Sequence, residues 1–352
     1  MTKPEEKFRG RGVISNPTNR FVSTSSEPFE DYDPSEDPSP RTQFIPDASA
    51  TIISYNDSPD IGFNASINVY RGCEHGCAYC YARPYHEYLG FSAGLDFETK
   101  IVVKYNAPEL LRGELSSPTW NPQTIAMSGV TDCYQPAERK LQLTRRVLEV
   151  LAGFRNPVAI VTKNHLVTRD ADLLGELAKF DAAVVYVSIT TLDASLTPKL
   201  EPRASLPKMR LAAVRKLHEA GVPVGVLLAP MIPGLNDHEM PNILAAAAEA
   251  GAQFAGFVPL RLPFAVKGIF SDWLARYFPD RKENVLNRVR SLRGGKLNDS
   301  NFGSRFTGEG VLAEQLQQMF RVAVRKVGLG GRDCELSTAH FRRPGETQLS
   351  LL

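Results

Sequence analysis

Cys73-Glu-His-Gly-Cys77-Ala-Tyr-Cys80 is the stretch on which the reading of this chain turns. Three of the chain's five cysteines fall within these eight residues, spaced C-x3-C-x2-C. Thiolates are soft ligands, and three on one short segment can converge on a single metal centre. They cannot all pair among themselves as disulfides. Both gaps are too short for a helix and too irregular for a strand, so the segment is a loop. Gly72 and Gly76 supply the backbone freedom to fold it around an object. Residues 67–70 predict a short strand before it, and residues 81–88 a helical turn after it. The tip of a strand is where α/β folds place their chemistry. Two metals suit the thiolates. Structural zinc needs a fourth protein ligand, sought among His75, His86, Cys133 and Cys334. An iron–sulfur cube on three cysteines keeps one iron open, which is a catalytic arrangement.

Outward from this loop, the composition narrows the class. A chain of 352 residues holds about two domains, or one large α/β domain with tails. The net charge of +2 favours no class of partner, and 43% hydrophobic residues is ordinary for a globular chain. No apolar run reaches the ~18–20 residues of a membrane span, and the N-terminus lacks an apolar signal core. Five cysteines with three clustered do not make a secreted disulfide framework, so a reducing, cytoplasmic setting without membrane association is expected.

Residues 1 to about 50 are polar and rich in Pro, Ser and charge, with basic Lys7-Phe-Arg-Gly-Arg-Gly12 followed by an acidic run at 27–37. Such a segment buries too little apolar surface to offset its ordering entropy, so a mostly disordered, solvated tail is expected over 1–60. From about residue 61, apolar strands alternate with amphipathic helices, as in βα units. Strands are expected at 100–104, 124–128, 158–162, 183–188, 222–228 and 254–258, a seventh being 67–70. Helices are expected at 107–115, 138–154, 170–179, 206–220 and 239–250. Four of these strands run into polar residues: Thr131 and Asp132, Lys163 to His165, Thr190 to Asp193, and Asn236-Asp237. In succession they outline a shared mouth suited to a zwitterionic, hydroxyl-bearing nucleoside. Its carboxylate needs a cation such as Lys163 or Arg203, and its ammonium needs Asp132 or a hydroxyl. Beyond about 262 the alternation stops. Helices at 273–278 and 283–292 lead into a glycine-rich basic stretch. Residues 281–305 carry seven Lys or Arg against two acids, either a solvated face or a phosphate-contacting surface. A last helix at 310–327 precedes the tail.

The cysteine loop with its Arg71-Gly72 lead-in and Tyr79-Cys80 resembles the cluster motif of the radical S-adenosylmethionine (SAM) enzymes. Val161-Thr-Lys163-Asn-His, Leu200-Glu-Pro-Arg203 and Ala229-Pro-Met-Ile-Pro-Gly-Leu-Asn-Asp237 resemble the bacterial branch related to spore photoproduct lyase. The resemblance spans roughly 61–344. It implies an α/β fold: a partial (β/α)6-type TIM barrel over 61–292, with one spare strand. A disordered segment precedes it at 1–60, and a basic loop, helix and tail follow at 293–352. It implies that Cys73, Cys77 and Cys80 ligate a [4Fe–4S] cluster whose open iron chelates SAM. One-electron reduction then yields a 5′-deoxyadenosyl radical. Tyr79 is expected near the adenine, Lys163 and Ser188 at the methionyl end, Thr131 and Asp132 at the SAM amino group, and Arg203 in the same pocket. The lyase returns hydrogen from a cysteine near an Asp like Asp132. Here the position three residues before that Asp is Gly129, and Cys133 lies one residue after it, so Cys133 and Tyr134 are the candidate donors.

The expected activity is therefore hydrogen abstraction from a substrate, with a nucleic-acid lesion or modified base as a candidate. An electron donor such as a flavodoxin or ferredoxin is the expected partner. A cluster protein that senses or binds without SAM turnover, and a zinc-stabilised nucleic-acid binder, are the competing readings.

Overall fold

The computed structural model describes residues 8–22, 40–330 and 334–344; the acidic run at 27–37 lies outside the described residues. Strands β1 (Gln43–Pro46), β2 (Ile53–Tyr55), β3 (Ala65–Ile67), β4 (Tyr70–Arg71) and β5 (Lys100–Val103) come first. Then β6 (Ile125–Met127), β7 (Val158–Thr162), β8 (Ala183–Ser188), β9 (Val224–Met231) and β10 (Phe254–Pro259) follow. Between and after the later strands lie helices α1 (Ala107–Ser116), α2 (Leu143–Phe154), α3 (Ala171–Ala178), α4 (Pro207–Glu219) and α5 (Met240–Glu249).

The main sheet runs β10-β9-β8-β7-β6-β3-β2. From β3 to β10 every neighbour is parallel, and β2 adds an antiparallel edge. This is the expected six-stranded partial barrel. Its strands are β-branched and covered on both faces, as in β8, where Ala-Val-Val-Tyr-Val-Ser is buried at all positions but Tyr186. Helix α2 lays Leu143, Val147, Leu148, Leu151 and Phe154 against the sheet, a repeat of three and four that keeps one stripe inward.

The expected spare strand is identified, and three local expectations are corrected. The spare strand is β5, which stands outside the barrel in a small sheet between β1 and β4. The expected strand 67–70 is two strands. Its first part ends at Ile67, and Tyr70–Arg71 pairs with β5 instead. The turn between them is fixed by Asn68, whose side-chain oxygen accepts from the Val130 and Thr131 amides at 3.0 and 3.3 Å. The expected helix 138–154 breaks at Gln142, which is left-handed at φ 52°. Glu138 turns inward there, accepting from Thr144 N at 3.1 Å, Tyr70 OH at 2.5 Å and Arg169 at 2.7 Å. The Arg-Gly piece near the N-terminus is not solvated: Arg11 is buried and donates to the carbonyls of Glu98 and Pro40.

Two helices, α6 (Val266–Tyr277) and α7 (Lys282–Ser291), lie over the strand ends. Trp273, Phe270, Val285 and Leu286 form an apolar cluster with Cys77, Ala78 and Tyr79 of the cysteine loop. The last helix, α8 (Val311–Val327), buries Ala313, Leu316 and Ala323 in the main core. Its Phe320 ring stands 4.9 Å from that of Phe257 in β10.

Candidate functional site

The cysteine loop hangs from β4, at the C-terminal side of β3, and is held almost wholly through its backbone. Gly72 and Gly76 are left-handed, at φ 83° and 68°. The Cys73 amide donates to Phe97 O at 2.8 Å, and that of Ala78 to Leu200 O at 3.2 Å. Gln135 clamps the loop from both sides, accepting from Glu74 N and donating to Gly72 O. Arg83 is fully buried; it donates to Cys77 O at 3.0 Å and Gly94 O at 2.9 Å and pairs with Glu98 at 2.6 Å. The N-terminal segment lies across the loop, so close that a Cβ on Gly12 would fall 1.6 Å from Gly76 O.

This scaffold leaves the three thiols free. Burial pushes each thiol up, and for Cys73 the charges of Asp132, Cys77 and Cys80 push further. Buried sulfurs this reluctant to ionise need a metal to take their protons' place. Among the described residues no three His, Cys, Asp or Glu side chains converge on one ion. A cube spreads its sulfurs wider, because each binds a different iron.

Three of the four proposed fourth zinc ligands are engaged or remote. His75 contacts Asp132 through Nδ1 and Asn164 through Nε2, both at 3.3 Å. His86 is the exception: it packs beside Gly72 and between Phe91 and Phe97, and both its ring nitrogens are buried without a hydrogen-bond partner. Cys133 belongs to the main apolar core. Cys334 lies beside Asp181, at the opposite end of β8.

The remaining predicted residues divide by what their polar atoms already hold. Asp132 Oδ1 accepts from Thr162 OH at 2.8 Å and Tyr134 N at 2.9 Å; Oδ2 accepts from Lys163 N at 2.8 Å and faces His75. Burial alone would raise this carboxyl, but His75 and the N–H donors outweigh it and hold it at about 2. Thr131 OH donates to Tyr70 O at 2.6 Å, and Ser188 OH to Ala229 O at 3.1 Å. Arg203 pairs with Glu74 at 2.9 Å. Lys163 alone among the predicted polar groups keeps its head group unpaired, half-buried and 6.0 Å from the Tyr79 ring. Its charge reaches Cys77 and Cys80. Tyr79 is buried, with its hydroxyl bonded to Glu201. Cys133 and Tyr134 face away from this group. Both are buried, and Tyr134 OH donates to Asp170 at 3.1 Å just before α3.

Residues 67–247 match the family model of the Radical SAM superfamily, half of the chain. The chain belongs to the radical SAM superfamily. An uncharacterized protein of Mycobacterium tuberculosis is 38% identical over 65% of this chain and 67% of its own length. An uncharacterized protein of Methanocaldococcus jannaschii is 30% identical over 64% and 81%. Among solved structures, a spore photoproduct lyase double mutant with bound AdoMet and dinucleoside spore photoproduct superposes with a TM-score of 0.59. It is 16% identical and covers 84% of this chain and 82% of that one. The fold is thus shared with that lyase.

As a radical SAM enzyme the chain carries a [4Fe–4S] cluster and SAM as cofactors, and its free cysteine triplet, with Cys73 and Cys77 buried and Cys80 half-buried, suits the cluster. Sequence reasoning missed the supports beneath it. Glu201 and Arg210 form a buried ion pair under Tyr79, and Thr190 OH donates to Glu201 at 2.7 Å. Arg210 was legible in principle. It occupies the same inward stripe of α4 as Pro207, Ala213, Val214 and Leu217, where a lone charge demands a partner. Arg83 paired with Glu98 gave no such signal, because the pair depends on how the loop folds back.

Proposed function

We propose that this radical SAM enzyme abstracts hydrogen from nucleic acid, at a lesion or modified base, in a reducing cytoplasmic setting with an electron donor such as flavodoxin or ferredoxin. Cys73, Cys77 and Cys80 hold the cluster, which with SAM supplies the 5′-deoxyadenosyl radical. Lys163 takes the SAM carboxylate. The observation that carries this reading is its unpaired ammonium, turned toward the cysteine loop at a strand end. Tyr79, fixed by Glu201 and Thr190, sets the wall nearest the adenine, and Ser188 stands with Lys163 at the methionyl end. Asp132 acts by position. Its oxygens are filled by donors, so it locks His75 of the loop to the ends of β6 and β7, and Thr131 ties the same turn to Tyr70. Arg203 likewise braces Glu74 of the loop. Cys133 and Tyr134 sit in closed packing, which argues against either as a donor that meets substrate directly. No described helix is long and apolar enough to cross a membrane.

The test is anaerobic. The reconstituted protein, given dithionite and SAM, should form 5′-deoxyadenosine slowly even without substrate, and Cys80→Ala should abolish it. A fully loaded, reducible cluster that binds SAM yet yields no 5′-deoxyadenosine over hours, with and without cell extract, overturns the reading.

A further inference from the structure

On the side of the mouth next to Tyr81 stands a cation without an ion-pair partner of its own; Asp60, whose charge reaches it, is paired with Arg305. Arg261 follows β10, with its guanidinium 4.5 Å from the Phe306 ring centroid and 5.9 Å from that of Tyr81, the neighbour of Cys80. Its Nε is buried without a hydrogen-bond partner. Arg203, Arg210, Arg305 and Arg20 are paired with Glu74, Glu201, Asp60 and Glu87, and Arg293 spends its terminal nitrogens on the carbonyls of Ser304, Arg305, Pro259 and Leu260. A partly desolvated guanidinium lacking an ion-pair partner is unfavourable until an anion meets it.

The surface around it is aromatic. Phe21, Tyr85, Tyr88, Phe264 and Phe302 are each more than half exposed. Guanidinium groups are interleaved with them. Arg20 lies 4.6, 5.3 and 4.0 Å from the rings of Phe21, Tyr88 and Phe264, and Arg305 lies 4.7 and 5.1 Å from those of Phe302 and Phe306. Tyr85 lies 6.4 Å from Tyr88 and extends the aromatic surface. Phe264 keeps a left-handed backbone at φ 47° while 62% exposed. Strain of that kind persists where a site requires it. Exposed rings alternating with cations match the stacking platforms that hold unpaired bases with phosphates between them. The bases of an intact duplex are already stacked on one another and cannot reach such rings.

We infer that Arg261 anchors a backbone phosphate of a single-stranded nucleic-acid segment at the mouth, with flanking bases stacked on the rings around Phe302 and Phe264. This rests on the nucleic-acid reading above and names the groups that position the strand. The test uses the anaerobically reconstituted enzyme with SAM and a fluorescein-labelled oligothymidylate of about 12 nucleotides, within the usual platform site size. Anisotropy is followed across a salt series. Each phosphate contact to a single strand contributes about 0.7 to the slope of log K against log salt. Arg261→Gln should lower that slope by about 0.7 and the affinity by about 5–50-fold. Arg261→Lys should restore the slope. Phe264→Ala should weaken binding with the slope unchanged. Lys326→Gln, at an exposed position of α8, should change neither. A labelled duplex of the same length should bind more weakly. Iron content and thermal melting check that each variant is folded. If the wild type binds and Arg261→Gln matches it in slope and affinity, the anchor is overturned and the nucleic-acid reading stands. If the wild type binds neither oligonucleotide, both fall. A duplex bound as tightly as the single strand overturns the stacking.

Discussion

Replacing Glu201 by Gln keeps the shape beneath the cysteine loop and removes one charge. Glu201 is 1% exposed and bonded to Arg210, Tyr79 and Thr190. Burial would raise its carboxyl, but Arg210 and Lys163 outweigh burial and hold it down from 4.5 to about 2. A carboxyl lowered on folding stabilises the protein fully above its unfolded value. That stabilisation is lost as the pH falls through the folded value. At about 1.4 kcal/mol per pH unit, the fall from 4.5 to about 2 is worth about 3 kcal/mol. Removing one member of a buried ion pair costs about 3–5 kcal/mol, the same scale. Glu201→Gln should therefore be about 3 kcal/mol less stable than wild type at neutral pH. The gap should narrow steadily from pH 4.5 to about 2, where the unfolded chain's carboxyl takes up its proton while the folded one is still ionised. Urea unfolding of the cluster-free proteins, repeated at descending pH, measures it. A variant as stable as wild type at neutral pH, or a gap that stays constant through acid, would refute the argument. Because Glu201 also fixes Tyr79 between two of the cysteines, the reconstituted variant should release iron faster.

Lys163→Ala should weaken SAM binding by about 1–3 kcal/mol, the scale of a lost charge-assisted hydrogen bond, while iron content stays at the wild-type level. Calorimetry on the reconstituted protein reads the first and an iron assay the second. Gly12→Ala places a methyl carbon 1.6 Å from Gly76 O, so the N-terminal segment must lift off the loop. Overpacking of this kind costs about 1–3 kcal/mol, which a thermal melt should register together with faster cluster loss in air. Cys77→Ala should lose the cluster, whereas Cys334→Ala, at the far end of β8, should keep its iron; equal loading of the two would undo the ligand assignment.

What the sequence by itself determined was whatever depends on near neighbours. Cys73, Cys77 and Cys80 are legible because ligand spacing on one loop is a local property. The six barrel strands and the helices between them follow from periods of two and about 3.6, which a window of a dozen residues displays. Lys163 and Asp132 were placed at strand ends by the same local pattern. The tertiary structure decided which partner each group meets. Asp132 looked free for an ammonium until Thr162, the Lys163 and Tyr134 amides and His75 were found around it. Tyr79 and Glu201 stand 122 residues apart, and Gly12 meets a loop more than sixty residues away. Strand 100–103 has the composition of a barrel strand, but its pairing with β1 and β4 sets it aside, and no local pattern records a pairing partner. Arg261 reads as an ordinary residue between two leucines. Only the approach of Phe306 and Tyr81, without an ion-pair partner of its own, marks it out, because charge balance in a fold is settled by distance in space and not along the chain.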